Sequence, residues 1–171
     1  ELIVYDKYDT QILKYLGDAH LNLYNEDLAI EAYKSIANID KADYLNSIEL
    51  SKLYVNKEEF ETALKWAEKS VQFSSKKGIA LNQRAEVYFS LAEFCSSGSL
   101  TFWDKLVFEM AWEDYSEAAK SGYLRAKGRA DFLYENNITT SSDWFMISET
   151  GDELIPKGEC YSWINRSVKR K

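Results

Sequence analysis

The chain has 171 residues, a net charge of −7, and a composition that is 46% hydrophobic and 15% aromatic; this suits one folded domain with a sizeable core and excludes a disordered chain. The acidic balance weighs against general nucleic-acid binding, which needs a basic footprint, and no apolar run approaches the ~18 residues of a membrane span. A single proline, Pro156, and seven glycines leave few breakers, so long helices are favoured. Glu1 rather than Met opens the chain and no signal-like segment follows, which reads as a piece of a longer protein.

Residues 1–10 read as the end of a preceding unit plus a connector. Thr10 is the predicted N-cap of a helix over about 11–24, with Leu13, Leu16, His20 and Leu23 along its apolar side. After an Asn25-Glu26-Asp27 turn, a second helix over about 27–38 carries Leu28, Ala29, Ala32, Tyr33 and Ile36. Tyr44 to Ser75 reads as two amphipathic helices joined by the polar turn Asn56-Lys57-Glu58-Glu59. Leu50, Tyr54, Phe60, Ala63, Ala67 and Ser70 fall on their facing sides. From about residue 78 a third pattern carries Ala85, Tyr88, Ala111, Tyr115 and Ala118, interrupted by an insertion over about 90–105. The insertion predicts a first helix lengthened through Phe94, a turn at Gly98 and a second helix over about 102–120. Val107, Phe108, Ala111, Trp112, Tyr115 and Ala119 form the packed side of that second helix.

Ser121-Gly122 ends this helix, and another follows over about 122–135 with Tyr123, Ala126, Ala130, Leu133 and Tyr134. From Asn136 the periodicity stops. Thr140-Ser141-Ser142-Asp143 offers caps for a short turn over Trp144–Ser148, loops follow at Gly151 and Pro156–Gly158, and a last short helix is predicted over Glu159–Val168. Trp144, Phe145, Tyr161 and Trp163 are too many large apolar groups to leave in water, so this tail is expected to fold back. Its basic end, Arg166, Lys169, Arg170 and Lys171, reads as a solvated terminus, or else as a contact for an acidic surface or anionic lipid.

The 34-residue recurrence of small and aromatic positions, Ala29 to Ala63 and Tyr54 to Tyr88, together with Leu13, Leu16, Gly17, Tyr33 and Phe60, resembles the tetratricopeptide repeat family. The resemblance covers about residues 10–135. It implies an all-α, right-handed helix-turn-helix solenoid of about three units, over 10–43, 44–77 and 78–120, with a capping helix over 122–135 and a C-terminal extension over 136–171 packed back. Small residues at Gly17, Ala29, Ala63 and Ala111 let helices approach and large ones fill the gaps, so these positions are core rather than chemistry. The extension is similar to the ends of some tetratricopeptide proteins of Bacteroidetes-type bacteria, which implies an exported, periplasmic or envelope-associated parent.

No catalytic constellation can be assembled. His20 is the single histidine and takes a packing position, and neither a P-loop nor a zinc-ligand pattern is present. The expected protein is therefore not an enzyme, with no cofactor and no metal. Cys95, at a helix end, reads either as a small buried hydrophobe or as the partner of Cys160 in a bridge that pins the C-terminal segment, should the parent be exported.

The resemblance implies a protein or peptide partner in a concave groove. The five carboxylate-clamp positions that hold chaperone tails in some family members map to Lys14, Asp18, Glu49, Ile79 and Gln83. Only Lys14 matches, and two acids would repel a carboxylate. The predicted groove residues are Lys14, Ile48, Lys52, Phe89, Arg125, Arg129 and Phe132, with Ile48, Phe89 and Phe132 as anchors and Lys52, Arg125 and Arg129 meeting acidic groups. The competing expectations are a groove filled by the tail or the inserted helices, and a structural spacer or self-association module.

Overall fold

The computed structural model describes residues 9–171; the preceding unit expected at the N-terminus falls almost wholly outside them. The chain divides into two compact units, one ending at Lys76 and one running Lys77–Lys171.

In the first unit α1 (Thr10–Asn22) pairs with α2 (Glu26–Ile39), and α3 (Tyr44–Asn56) pairs with α4 (Phe60–Phe73). Both pairs turn in the same way. Tyr24 and Glu58 take left-handed backbone, φ 59° and 60°, and the following amides, of Asn25 and Glu59, donate to the His20 and Tyr54 carbonyls at 2.9 Å. This closes the last turn of the first helix and aims the chain into the second. Gly17 sits where α1 meets α2, and a Cβ there would lie 2.9 Å from the Tyr33 ring, so any larger residue would force the ring to shift. Leu50, Tyr54, Phe60, Ala63, Ala67 and Ser70 are all buried, as their facing pattern predicts. Asn46 ties the pairs together by donating from Nδ2 to the Tyr33 carbonyl at 2.9 Å.

Two local readings of the first helix change. Its N-cap is Asp9, whose carboxylate accepts from the Gln11 and Ile12 amides at 2.8 and 3.3 Å; a charged acceptor at a helix N-terminus outcompetes the Thr10 hydroxyl. Leu16 and Leu23 are exposed, because Leu23 lies beyond the last helical turn and α1 buries only Gly17 completely.

In the second unit α5 (Gly78–Cys95) and α6 (Phe102–Lys120) have 18 and 19 residues. The insertion therefore lengthens both helices and leaves only a short connector. Thr101 and Asp104 cap α6 reciprocally, side chain to backbone in each direction. Ala85, Tyr88, Ala111, Tyr115 and Ala118 are buried. The predicted helix over 122–135 opens instead as a 3-10 turn, Leu124–Ala126, before α7 (Lys127–Asn136), since the Tyr123 amide is committed to closing α6 on Ala118 at 2.9 Å. Tyr134 stays exposed beside Trp112, 5.8 Å between ring centroids.

The extension forms α8 (Ser141–Met146), under a Thr140–Asp143 capping box, and a two-residue antiparallel ladder of β1 (Glu153–Leu154) with β2 (Val168–Lys169). The helix predicted over Glu159–Val168 does not form. Turns occupy its first half, and Val168 pairs with Leu154 so that both branched side chains are buried. An isolated helix of that length is marginal, and a tertiary pairing overrides it. Trp144 and Tyr161 are buried, while Phe145, the next residue on α8, is 85% exposed.

Candidate partner-binding faces

The second unit is organised by acids on α6. Asp104, Glu109 and Asp114 are each at least 96% buried, and each meets the extension. Asp104 accepts from the Tyr161 hydroxyl at 2.5 Å, and burial, together with this bond, pushes the Tyr161 hydroxyl pKa upward. Glu109 accepts from the Thr139 hydroxyl and pairs with Lys171 at 3.0 Å, while Thr139 Oγ1 also accepts from the Trp144 indole at 2.7 Å. Asp114 takes both prongs of Arg84, at 2.7 and 2.8 Å, and Arg166 at 2.9 Å. Arg170 donates to the carbonyls of Trp144, Glu149 and Gly151.

The basic end is solvent-exposed at Lys169, Arg170 and Lys171, yet most of its cations are also tied to the unit. Arg166 and Lys171 are engaged within the unit because the buried Asp114 and Glu109 demand cations, and Arg170 is held by three backbone carbonyls. Cys95 and Cys160 are joined in a disulfide, with 6.3 Å between Cα atoms, which fastens the extension to the end of α5. His20 is half-buried, and its Nδ1 is buried without a hydrogen-bond partner.

Two open features of similar size mark the first unit, one of about 460 Å³ beside the α1–α2 turn and one, a cleft of about 480 Å³, between α1 and α3. Its wall is Gln11, Lys14 and Asp18 on α1 and Leu45, Asn46 and Glu49 on α3, with Tyr33 of α2 and Asp43 completing it. Helical spacing puts Lys14 and Asp18 one turn apart on one face. The Tyr33 hydroxyl donates to Asp18 Oδ1 at 2.6 Å; burial first, then Asp18, then Glu49, raise its pKa. Asp43 Oδ1 caps α3 by accepting from the Asn46 amide at 2.9 Å.

The predicted groove residues fare differently. Lys14 is exposed and lines the cleft. Ile48 is 2% exposed and is core, so it cannot serve as an anchor: it faces the helix pair rather than the cleft. Lys52 pairs with Glu49 at 2.8 Å. In the second unit Phe89 is half-buried against Phe108, 5.6 Å away, and under the Arg129 guanidinium, 4.9 Å away. Arg129 is also paired with Glu86 at 3.3 Å. Arg125 and Phe132 are exposed. Of the clamp positions, Lys14, Asp18 and Glu49 share the cleft, whereas Gln83 is buried. Sequence reasoning missed Asp43 and Asn46 as cleft residues; their signal is a cap and its third residue, which alone indicates only a helix start.

Among the described residues no helix is long and apolar enough to cross a membrane, and no group of three His, Cys, Asp or Glu side chains could hold a metal ion. No family profile matches the chain, and no curated protein matches it by sequence. Solved structures do. The first tetratricopeptide domain of Spaghetti (RPAP3), bound to an HSP90 peptide SRMEEVD, shares 17% identity over 76% of this chain and 96% of its own, with a TM-score of 0.60. MamA shares 18% over 76% of this chain and 69% of its own, TM-score 0.61. The N-terminal domain of stress-induced protein-1 from C. elegans shares 12% over 75% and 98%, TM-score 0.59. The chain therefore has the all-α helix-turn-helix repeat fold of tetratricopeptide domains.

Proposed function

We propose that this chain is a non-catalytic protein-interaction scaffold that takes an extended segment of a partner in the cleft between α1 and α3. The observation that carries the reading is the cleft itself. It is walled by the first helices of two successive repeats and lined by polar groups, exposed at Gln11, Lys14 and Asp18 and half-buried at Asp43 and Glu49; such preformed polar walls suit a peptide backbone and its side chains. That a neighbour of the same fold is described with a bound peptide agrees with it. Lys14 lies on the wall and Lys52 beside it; Arg125 and Phe132 are the accessible candidates in the second unit. The Cys95–Cys160 disulfide supports an oxidising setting, and with it an exported, envelope-associated parent.

Self-association is the second reading, favoured by the exposed Leu124, Phe132 and Tyr134 of the second unit. Phage-displayed peptides selected on the immobilised chain provide the test, with Leu45→Trp as a variant that blocks the cleft. Peptides that bind the chain and fail on the blocked variant support the scaffold reading. No enrichment, or peptides indifferent to the block, would overturn it, and a mass that rises with concentration in light scattering would then favour self-association.

A further inference from the structure

The cleft of the first unit has a charge character that goes beyond general peptide binding. Its lining holds three carboxylates, Asp18, Asp43 and Glu49, against the single ammonium of Lys14. One oxygen of each carboxylate is committed, to the Tyr33 hydroxyl, the Asn46 amide and the Lys52 ammonium respectively; the other has no hydrogen-bond donor among the described residues. Asn46 adds an independent sign of a missing donor. It is 95% buried, its Nδ2 is fixed on the Tyr33 carbonyl, and its Oδ1 has no partner. A buried acceptor without a donor is costly, and this one belongs to the cleft wall. Acceptors therefore gather along a cleft wall where donors are scarce.

We propose that the cleft selects a cationic segment, receiving the Lys or Arg side chain of a basic peptide between Asp18, Asp43 and Glu49. The proposal rests on the reading of the cleft as a peptide site and adds its specificity. A guanidinium suits the arrangement because it offers five donors in a planar fork, enough for several free carboxylate oxygens at once. An acidic peptide would meet Asp18 and Glu49 with like charge, a repulsion that discriminates as strongly as an attraction.

Fluorescence anisotropy of the full chain with a fluorescein-labelled Gly-Arg-Gly-Arg-Gly peptide, and with its Gly-Glu-Gly-Glu-Gly counterpart, tests this at low salt. The Arg peptide is expected to bind and the Glu peptide not. In Asp18→Asn with Glu49→Gln, which keep shape and the acceptor for Tyr33, the Arg peptide should weaken by about tenfold. A control of equal charge change on α7, Asp131→Asn with Glu135→Gln, should leave its affinity unchanged. Circular dichroism melts of both variants verify folding. Equal weakening in both variants would mean bulk charge attraction and would overturn the proposal, as would no weakening in the cleft variant. A Glu peptide that binds and is lost on Leu45→Trp would overturn the cationic specificity while leaving the peptide site standing. Binding of neither peptide would also overturn the specificity, and the phage selection would then decide the site separately.

Discussion

Arg166 reaches back 52 residues to place Nη1 2.9 Å from Asp114 Oδ2, on a carboxylate that Arg84 already grips with two bonds. Its other nitrogen meets Glu113 at 2.7 Å, and its guanidinium covers the Tyr88 ring at 5.4 Å. One side chain of the extension thus completes a network that belongs to α5 and α6. Burial would lower the Arg166 pKa, but Asp114 and Tyr88 outweigh it and hold it raised, so the charge persists.

Removing Arg166 should consequently unfold more than a surface pair would. Arg166→Ala takes a bond from buried Asp114, which keeps Arg84, and leaves half-buried Glu113 without this cation, and the expected cost is about 2–3 kcal/mol. An exposed pair such as Lys65–Glu61 should cost under ~1 kcal/mol when broken. Guanidinium titration of both variants measures the contrast.

The disulfide closes a sequence separation of 65 residues. Constraining a loop of that size stabilises by about 4 kcal/mol in the chain-entropy account. Cys95→Ala with Cys160→Ala should lose about 2–4 kcal/mol of stability, and its extension should be cut sooner in limited proteolysis. Wild type in reductant should match the variant.

Gly78 opens α5 in close contact with the end of α6. A Cβ there would lie 2.5 Å from Tyr123 Cβ and 2.9 Å from the Ala118 carbonyl oxygen, groups that cannot swing aside. Gly78→Ala should destabilise by about 3 kcal/mol. Gly17→Ala should cost less, about 1 kcal/mol, because it meets a ring rather than backbone and gains helix propensity. Thermal melts of the two variants rank them.

Tyr24 and Glu58 hold left-handed backbone in equivalent turns, a conformation that costs a side-chain-bearing residue about 1–2 kcal/mol. Glu58→Gly removes that cost and adds chain entropy to the unfolded state. The expected outcome is a net gain of about 0.5–1 kcal/mol, read from the shift of the denaturation midpoint.

Two carboxylates bend the pH profile in opposite directions. Burial raises the Glu113 pKa above its ordinary value of 4.5, against the pull of Arg166. The folded state therefore binds this proton more tightly, and its stabilising contribution, complete below pH 4.5, is lost as pH rises through the folded pKa. Asp143 is the reverse. Burial would raise it, but bonds from Lys105 and Thr140 lower it below 3.8. Its contribution is present above pH 3.8 and is lost as pH falls through the lower folded pKa. Stability measured across this range should flatten on the alkaline side in Glu113→Gln and on the acid side in Asp143→Asn.

The helices α1 to α6 and their pairing were legible in the sequence. Small residues recurring beside large ones specify which sides meet, and the buried state of Ala29, Ala63, Tyr54 and Tyr88 follows from a spacing that can be read without coordinates. The two long helices of the second unit were legible for the same reason, since periodicity runs through the insertion to Phe94 and resumes at Phe102. The sequence could not show that Ile48 is core or that Arg166 and Lys171 are paired with α6 acids, because both depend on partners brought from elsewhere in the chain. An apolar residue on a helix is an anchor or a core residue according to what faces it. Asp104, Glu109 and Asp114 look like ordinary solvated acids until the extension covers them and supplies Tyr161, Lys171 and Arg166. Tertiary structure alone decided these, and it decided that Val168 forms a strand, because burying it against Leu154 outweighs the weak local preference for a last turn of helix.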